Sequence, residues 1–418
     1  MSNMDTSNKG LWTRDFTIIT LGSVISMFGN AMSGFALSLL ILDYTGSTLL
    51  YSIYIVLFTL PQIIMPVLFG AYMDRFSRRK TIYTLDFISS AIYVLAAFLL
   101  ASGWFSFPFL AAGVFIVGSI SSIYMVAFQS FYPLLITKGY YQKAYSISSV
   151  LETLSAVMIP VSAWLYNQFG IAPLLAANAV CFLIAACMET QIKAKEEYIE
   201  ERKEERDSDD MKKQIFFDIK KGIEYISNDR GLKAIAAYFT VSALFGGCTS
   251  VLMLPYFKST YANGEYIYMI VFGMATLGRA LAGSLHYRFS IPVRYKYAIA
   301  LTVYICTSLF EGVLLFLPLI VMGAFMLMSG MMGVTSYTIR ISATQAYVPD
   351  GMKGRFNGAF NMLNTVGMLC GEVIAGGLGE ITSPKYVILF FGLATAAMAV
   401  ILIGGSKDSV KKIYNTQQ

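Results

Sequence analysis

What most constrains this chain is a succession of apolar runs, each about as long as a lipid hydrocarbon core is thick. A helix needs roughly 20 residues to cross about 30 Å of hydrocarbon. Runs of that order fall near 15–42, 49–73, 80–102, 107–132, 145–169, 171–190, 234–256, 264–288, 295–317, 318–345, 354–380 and 384–405. These runs are continuously apolar and lack the alternation of a tilted barrel strand, which excludes a β-barrel. Composition agrees, since 56% of the residues are hydrophobic and only 13% charged, against about a quarter charged in an ordinary soluble domain. The expected fold class is an all-α membrane protein with twelve transmembrane helices.

The opening segment MSNMDTSNKGLWTRD lacks the small-residue cleavage site of a signal peptide, so the first span is expected to stay as a membrane helix. Lysine and arginine concentrate on the cytoplasmic side of short loops. An N-terminus placed inside puts 17 of them in short cytoplasmic segments, against Lys258 and Lys385 outside. Both termini are therefore expected in the cytoplasm, with the chain multi-pass in the cell membrane. The net charge of +6 reflects this bias and implies no nucleic-acid partner.

Five cysteines lie inside predicted spans without a CxxC pair, and the single histidine, His286, has no constellation of ligands around it. No metal site, cofactor or enzymatic centre is expected. No GxxxxGK[ST] loop occurs, so ATP is not expected as the direct energy source.

A run of charges from QIKAKEEYIEERKEERD onward interrupts the spans six by six. The expected organisation is an N-terminal six-helix bundle over 1–190, a cytoplasmic linker over 191–233 and a C-terminal six-helix bundle over 234–418. Ile215, Phe216, Ile219, Ile223 and Ile226 recur at helical spacing in the linker, which predicts an amphipathic helix lying on the membrane surface or docked on the bundle. The halves also echo each other. LILDYTGST at 40–48 returns as LMLPYFKST at 252–260, and GAYMDRFSRRK at 70–80 returns more loosely as GSLHYRFS at 283–290, at nearly the same offset. Duplication explains both, and six plus six helices in parallel repeats is a known transporter architecture.

GAYMDRFSRRK resembles the G-x-x-x-D-R-x-x-R-R signature between the second and third helices of major facilitator superfamily transporters. LDYTGS, LPQIIMPVLFG, DIKKGIEYISNDRGLK and VPDGMKGRFNG together look like the macrolide and multidrug efflux permease branch. The resemblance implies two pseudo-symmetric bundles, alternating access and drug efflux. It also implies a conformational latch at Gly70, Asp74, Arg75, Arg78, Arg79 and Lys80, in which Asp74 meets the start of the eleventh helix near Lys353 to Phe356. Read without the family, the arginines and Lys80 anchor the loop on the anionic cytoplasmic face, and Asp74 is a lone carboxylate that wants a cationic partner. One departure stands out. The glycine-rich stretch common in the fifth helix of drug antiporters reads IPVSAW at 159–164, which weighs against antiport, while GEVIAGG at 371–377 suggests that close packing by small residues moved to the second half.

Ionisable residues inside spans are costly and are functional candidates by default. Glu152, Arg279 and Glu372 are expected to serve as gate or proton-coupling groups, with Glu152 and Arg279 at similar depths. Asp86 is expected to pair with the basic loop one and a half turns earlier. Neutral polar residues at Asn30, Tyr124, Gln129 and Tyr337, with Arg340, are the expected substrate-cavity set, and a Met-rich tenth span suits an amphipathic ligand. The sequence thus points to a monomeric secondary transporter of amphipathic small molecules, with the proton as coupling ion and the lipid bilayer as surroundings. Uptake or exchange of a nutrient or metabolite, or a sensor derived from a transporter, are the alternatives.

Overall fold

The computed structural model describes residues 10–73, 76–137, 140, 143–144, 147, 151, 158–194, 196, 208–289 and 291–415. Among these residues no strand occurs, and eleven helices are long and apolar enough to cross a membrane. The first seven helices are α1 (Arg14–Thr45), α2 (Thr48–Thr59), α3 (Pro61–Met73), α4 (Arg78–Ala101), α5 (Phe107–Phe131), α6 (Met158–Phe169) and α7 (Ile171–Glu189). After them come α8 (Ser208–Asn228), α9 (Arg230–Thr260), α10 (Gly264–Arg288), α11 (Lys296–Val313), α12 (Leu319–Tyr347), α13 (Asp350–Ile381), α14 (Pro384–Met398) and α15 (Lys407–Tyr414). The expected second span is α2 plus α3, broken where Pro61 has no N–H to continue the ladder. The expected fifth span is represented by α6, and its earlier part lies largely outside the described residues.

Local chemistry sets the ends. Thr13 caps α1 by accepting from Phe16 N at 3.2 Å, and Gly46, at φ 61°, closes it in a left-handed turn whose N–H reaches Leu42 O. Asp229 caps α9, accepting from Gly231 N and Leu232 N at 2.8 and 2.9 Å.

The chain forms two compact units, one of residues 1–46 and 57–212, the other of residues 47–56 and 213–418. Within the first, α1 packs on α6 and α7, α3 on α5, and α4 on α5 and α7. Within the second, α9 packs on α13 and α14, α10 on α12, and α11 on α12 and α14. Span for span the two lists coincide, which is the packing signature of the duplicated six-helix plan. Residues 47–56 join the second unit through α13: Ser47 Oγ and Leu49 N donate to Glu380 Oε1 at 2.6 and 2.9 Å, and Ser52 Oγ donates to Glu372 O at 2.7 Å.

Small residues decide how closely α9 and α13 approach. A Cβ at Gly371 would stand 1.9 Å from Leu244 O, and one at Gly247 would stand 2.1 Å from Met368 O. Gly371 of GEVIAGG, with Gly247 opposite on α9, therefore brings the two backbones into contact, whereas Gly377 meets nothing and Gly376 meets the Ser52 side chain. The linker helix α8 docks on the second unit. Ile226 is buried in the same cluster as Leu232, Phe356 and Ala359, and Asp218 pairs with Arg355 at 2.7 Å. Of the two placements the sequence left open, docking is the one adopted.

Candidate functional site

In the first unit, α1 turns one polar stripe inward: Thr20, Ser23, Ser26 and Asn30 recur every three or four residues and share a helical face. Facing them are Asp86 and Ser89 from α4 and Ser121 and Tyr124 from α5. Together they line a cavity of about 290 Å³. Met27, Met125, Phe128 and Phe182 supply apolar wall between the hydroxyls. The cavity is near the lower end of the range for small-molecule sites, and its mixture of apolar wall and a few polar groups is typical of them.

One acid lies in the wall and a second stands behind it. Asp86 is 1% exposed and Glu189, the last residue of α7, is fully buried. Their carboxyl groups are close enough to influence each other. Ser26 Oγ donates to Asp86 Oδ2 at 3.4 Å and Tyr124 OH donates to Glu189 Oε1 at 3.5 Å. Glu189 fits because Gly22 leaves room on α1, where a Cβ would stand 3.2 Å from Glu189 Oε1. Neither acid is ion-paired among the described residues, and Glu189 Oε2 and the cavity-lining Thr20 Oγ1 are buried without partners. Two neighbouring buried carboxyls without a basic partner among the described residues disfavour ionisation of both, so the pair can carry a proton.

The expected pairing of Asp86 with the basic loop is not what forms. Arg78 N and Arg79 N donate to Glu196 Oε1 at 2.8 and 3.3 Å, Ser77 Oγ donates to Glu196 Oε2, and Arg78 Nη1 reaches Ser130 O at 3.0 Å. The loop thus finds its anion in Glu196, a carboxylate on the free N–H groups at the start of α4, where the helix dipole favours it. Asp86 lies more than a full turn farther along α4, on the face turned to α1 and α7. Lys80 is exposed. Asp74, Arg75 and Glu152 lie outside the described residues, and Gly70 falls within α3.

In the second unit the charges are scattered. Glu372 is 2% exposed on α13, with its Oε2 buried and unpartnered beside the α9 contact. Arg279 is exposed and donates to Thr276 Oγ1 at 2.9 Å, on its own helix. Glu311 accepts from Ser329 Oγ, and His286 Nε2 meets Thr335 Oγ1 at 2.9 Å. Arg340 on α12 sits among aromatic rings, with Phe360, Phe239 and Tyr337 centroids 4.7, 4.9 and 5.6 Å from its Cζ.

Of the expected cavity set, Asn30 and Tyr124 line the first unit's cavity, Tyr337 and Arg340 adjoin each other in the second unit, and Gln129 is exposed and off the cavity wall. Sequence reasoning missed Glu189, because it closes an apolar run against the charged linker and reads as a boundary residue. Its signal was the small-residue face of α1 at Gly22.

The sequence model of the Major Facilitator Superfamily matches residues 19–372. An uncharacterized MFS-type transporter, YkuC, of Bacillus subtilis (strain 168) is 23% identical over 294 residues, spanning 67% of this chain and 68% of that protein. The crystal structure of the nucleoside transporter NupG aligns with a TM-score of 0.65 at 12% identity, over 94% of this chain and 98% of that one. That of a point mutant of NupG aligns with a TM-score of 0.62 at 13% identity, over 94% and 99%. Likeness at such identities is likeness of fold.

Proposed function

Because the chain belongs to the major facilitator superfamily, we propose that it is a proton-coupled secondary transporter that exports amphipathic small molecules across the cell membrane by alternating access. The observation that carries this reading is the buried Asp86–Glu189 pair, of which Asp86 lines the first unit's cavity. A solute that donates hydrogen bonds to the Asp86 carboxyl beside Ser26 occupies the oxygens on which the proton sits, so solute and proton exclude each other there. Release of that proton then couples solute movement to the pH gradient. The apolar stretches of the wall, with Met27, Met125 and Phe128, accommodate varied shapes.

Export follows from the resemblance of LDYTGS, LPQIIMPVLFG and VPDGMKGRFNG to efflux permeases, and cytoplasmic termini follow from the 17-to-2 loop bias. Asp74 is proposed as the latch carboxylate, with Gly70, Arg75, Arg78, Arg79 and Lys80 around it. Glu152, Arg279 and Glu372 are proposed as further gate or coupling positions. The transporter is taken to act as a monomer.

The test is flux in proteoliposomes. An imposed pH gradient is expected to drive accumulation of an amphipathic dye, and a protonophore is expected to abolish it. Flux that survives the protonophore but stops when sodium is replaced would refute proton coupling. A second reading, uptake of a small polar metabolite, is favoured by the hydroxyl stripe Thr20, Ser23 and Ser26 with Asn30. It predicts that small polar solutes, not dyes, follow the gradient.

A further inference from the structure

Among the described residues, the cation at Arg340 has no anionic partner. A guanidinium keeps its charge at every accessible pH, and a bare charge inside a span is costly enough that it marks function unless paired. Arg340 lies seven residues before the end of α12, about 10 Å along the helix at about 1.5 Å per residue. Among the described residues no carboxylate pairs with it, and its Nε is buried with no hydrogen-bond partner. The nearby phenols are spent on each other, since Tyr304 OH and Tyr414 OH share a hydrogen bond of 2.7 Å.

What Arg340 does have is rings. Phe239 comes from α9 and Phe360 from α13. Their centroids lie 5.9 Å apart, far less than the sum of their 4.9 and 4.7 Å distances to Cζ. The two rings therefore lie on neighbouring, not opposite, sides of Cζ. Cation–π contact compensates part of the charge but supplies no hydrogen-bond acceptor, and Nε keeps none. Phe360 is only 3% exposed, so the group is drawn toward the interior of its unit, while Tyr337, at 58% exposed, forms an accessible third wall.

We propose that Arg340, with Phe239, Phe360 and Tyr337, is a subsite for the carboxylate of an organic acid that carries an aromatic or alkyl tail. A carboxylate offers two in-plane oxygens that match a guanidinium N–H edge, and the rings receive the tail. The assignment names a substrate class for the transporter proposed above and rests on that reading.

Three probes share one tail and differ only at the head: 4-phenylbutyrate, 4-phenylbutylamine and 4-phenyl-1-butanol. Thermal unfolding of the full chain in dodecyl maltoside is followed with each. At about a hundred times its Kd the acid is expected to raise Tm by roughly 2–5 °C, and the amine and alcohol are not. Arg340→Met is expected to remove the shift, and Arg340→Lys to weaken affinity about tenfold or more through loss of the planar fork. Phe360→Leu, which keeps the charge, is expected to weaken it severalfold and serves if Arg340→Met does not fold. The proposal is overturned if the acid gives no shift, if amine or alcohol does as well, or if the shift survives in Arg340→Met or is unchanged in Phe360→Leu. It is equally overturned if phosphatidylglycerol in the micelles shifts Tm through Arg340 while the acid does not, which would make the arginine a lipid anchor. The assay reads binding alone, so its failure leaves pH-driven flux standing, and absence of that flux leaves the binding result standing.

Discussion

Asp86 and Glu189 in the first unit and Arg340 in the second are charges that lipid would reject, kept in opposite ways. The acids lie against each other, tied to Ser26 and Tyr124, beside a cavity of about 290 Å³. The arginine, with no carboxylate partner among the described residues, is faced by two phenylalanine rings and has a buried Nε without a hydrogen-bond partner. The packing plan is the same in both units, so the difference lies in side chains that duplication left free to diverge. A carboxyl pair can discharge itself by taking a proton. A guanidinium cannot lose one, and needs an anion from elsewhere. The contrast teaches that equivalent six-helix frames can keep a pair of buried acids in one unit and an arginine among rings in the other.

The sharpest way to break the comparison is to remove one acid. Asp86→Asn or Glu189→Gln is expected to lower pH-driven flux by roughly two orders of magnitude or more, the scale on which a positioned proton-transfer group acts, while expression and folding persist. Flux within about twofold of wild type would end the proton-site assignment. On the other side of the comparison, Arg340→Met is expected to lower affinity for organic anions by roughly 10- to 150-fold, from the loss of charge-assisted hydrogen bonds of about 1.5–3 kcal/mol. Equal affinities in a titration would dissolve the contrast.

A smaller effect tests the shared frame. Gly371→Leu forces a side chain into Leu244 O and is expected to cost about 1–3 kcal/mol, read as a lower melting temperature. An unchanged transition would mean that α9 and α13 do not need their close approach. Smallest of all, Asp218→Ala removes a part-exposed ion pair with Arg355, whose side chains are 36% and 33% exposed, and is expected to cost under about 1 kcal/mol. A large loss would show that the docking of α8 depends on that pair.

The spans and the duplication were legible because hydrocarbon thickness and repetition are one-dimensional properties. Glu189 was not. Its position at a run's edge hid that α7 places it against Gly22 and Tyr124, which only the packing of α1, α4, α5 and α7 reveals. Asp86 was visible as an ionisable group but was assigned to the nearest basic loop in sequence. Glu196, far along the chain, occupies that loop instead. Arg340 was recognised as a cavity candidate, yet its ring neighbours come from α9 and α13, some hundred residues before it and twenty after. The small residues of GEVIAGG could be read directly, since glycine spacing signals close helix contact.

The proton held between Asp86 and Glu189 is the central claim, and infrared spectroscopy of the purified protein reads it without any substrate. At neutral pH the account predicts that the difference spectrum between wild type and the Asp86→Asn/Glu189→Gln double variant contains a protonated-carboxyl C=O band that shifts on deuterium exchange. A difference spectrum without that band would contradict it.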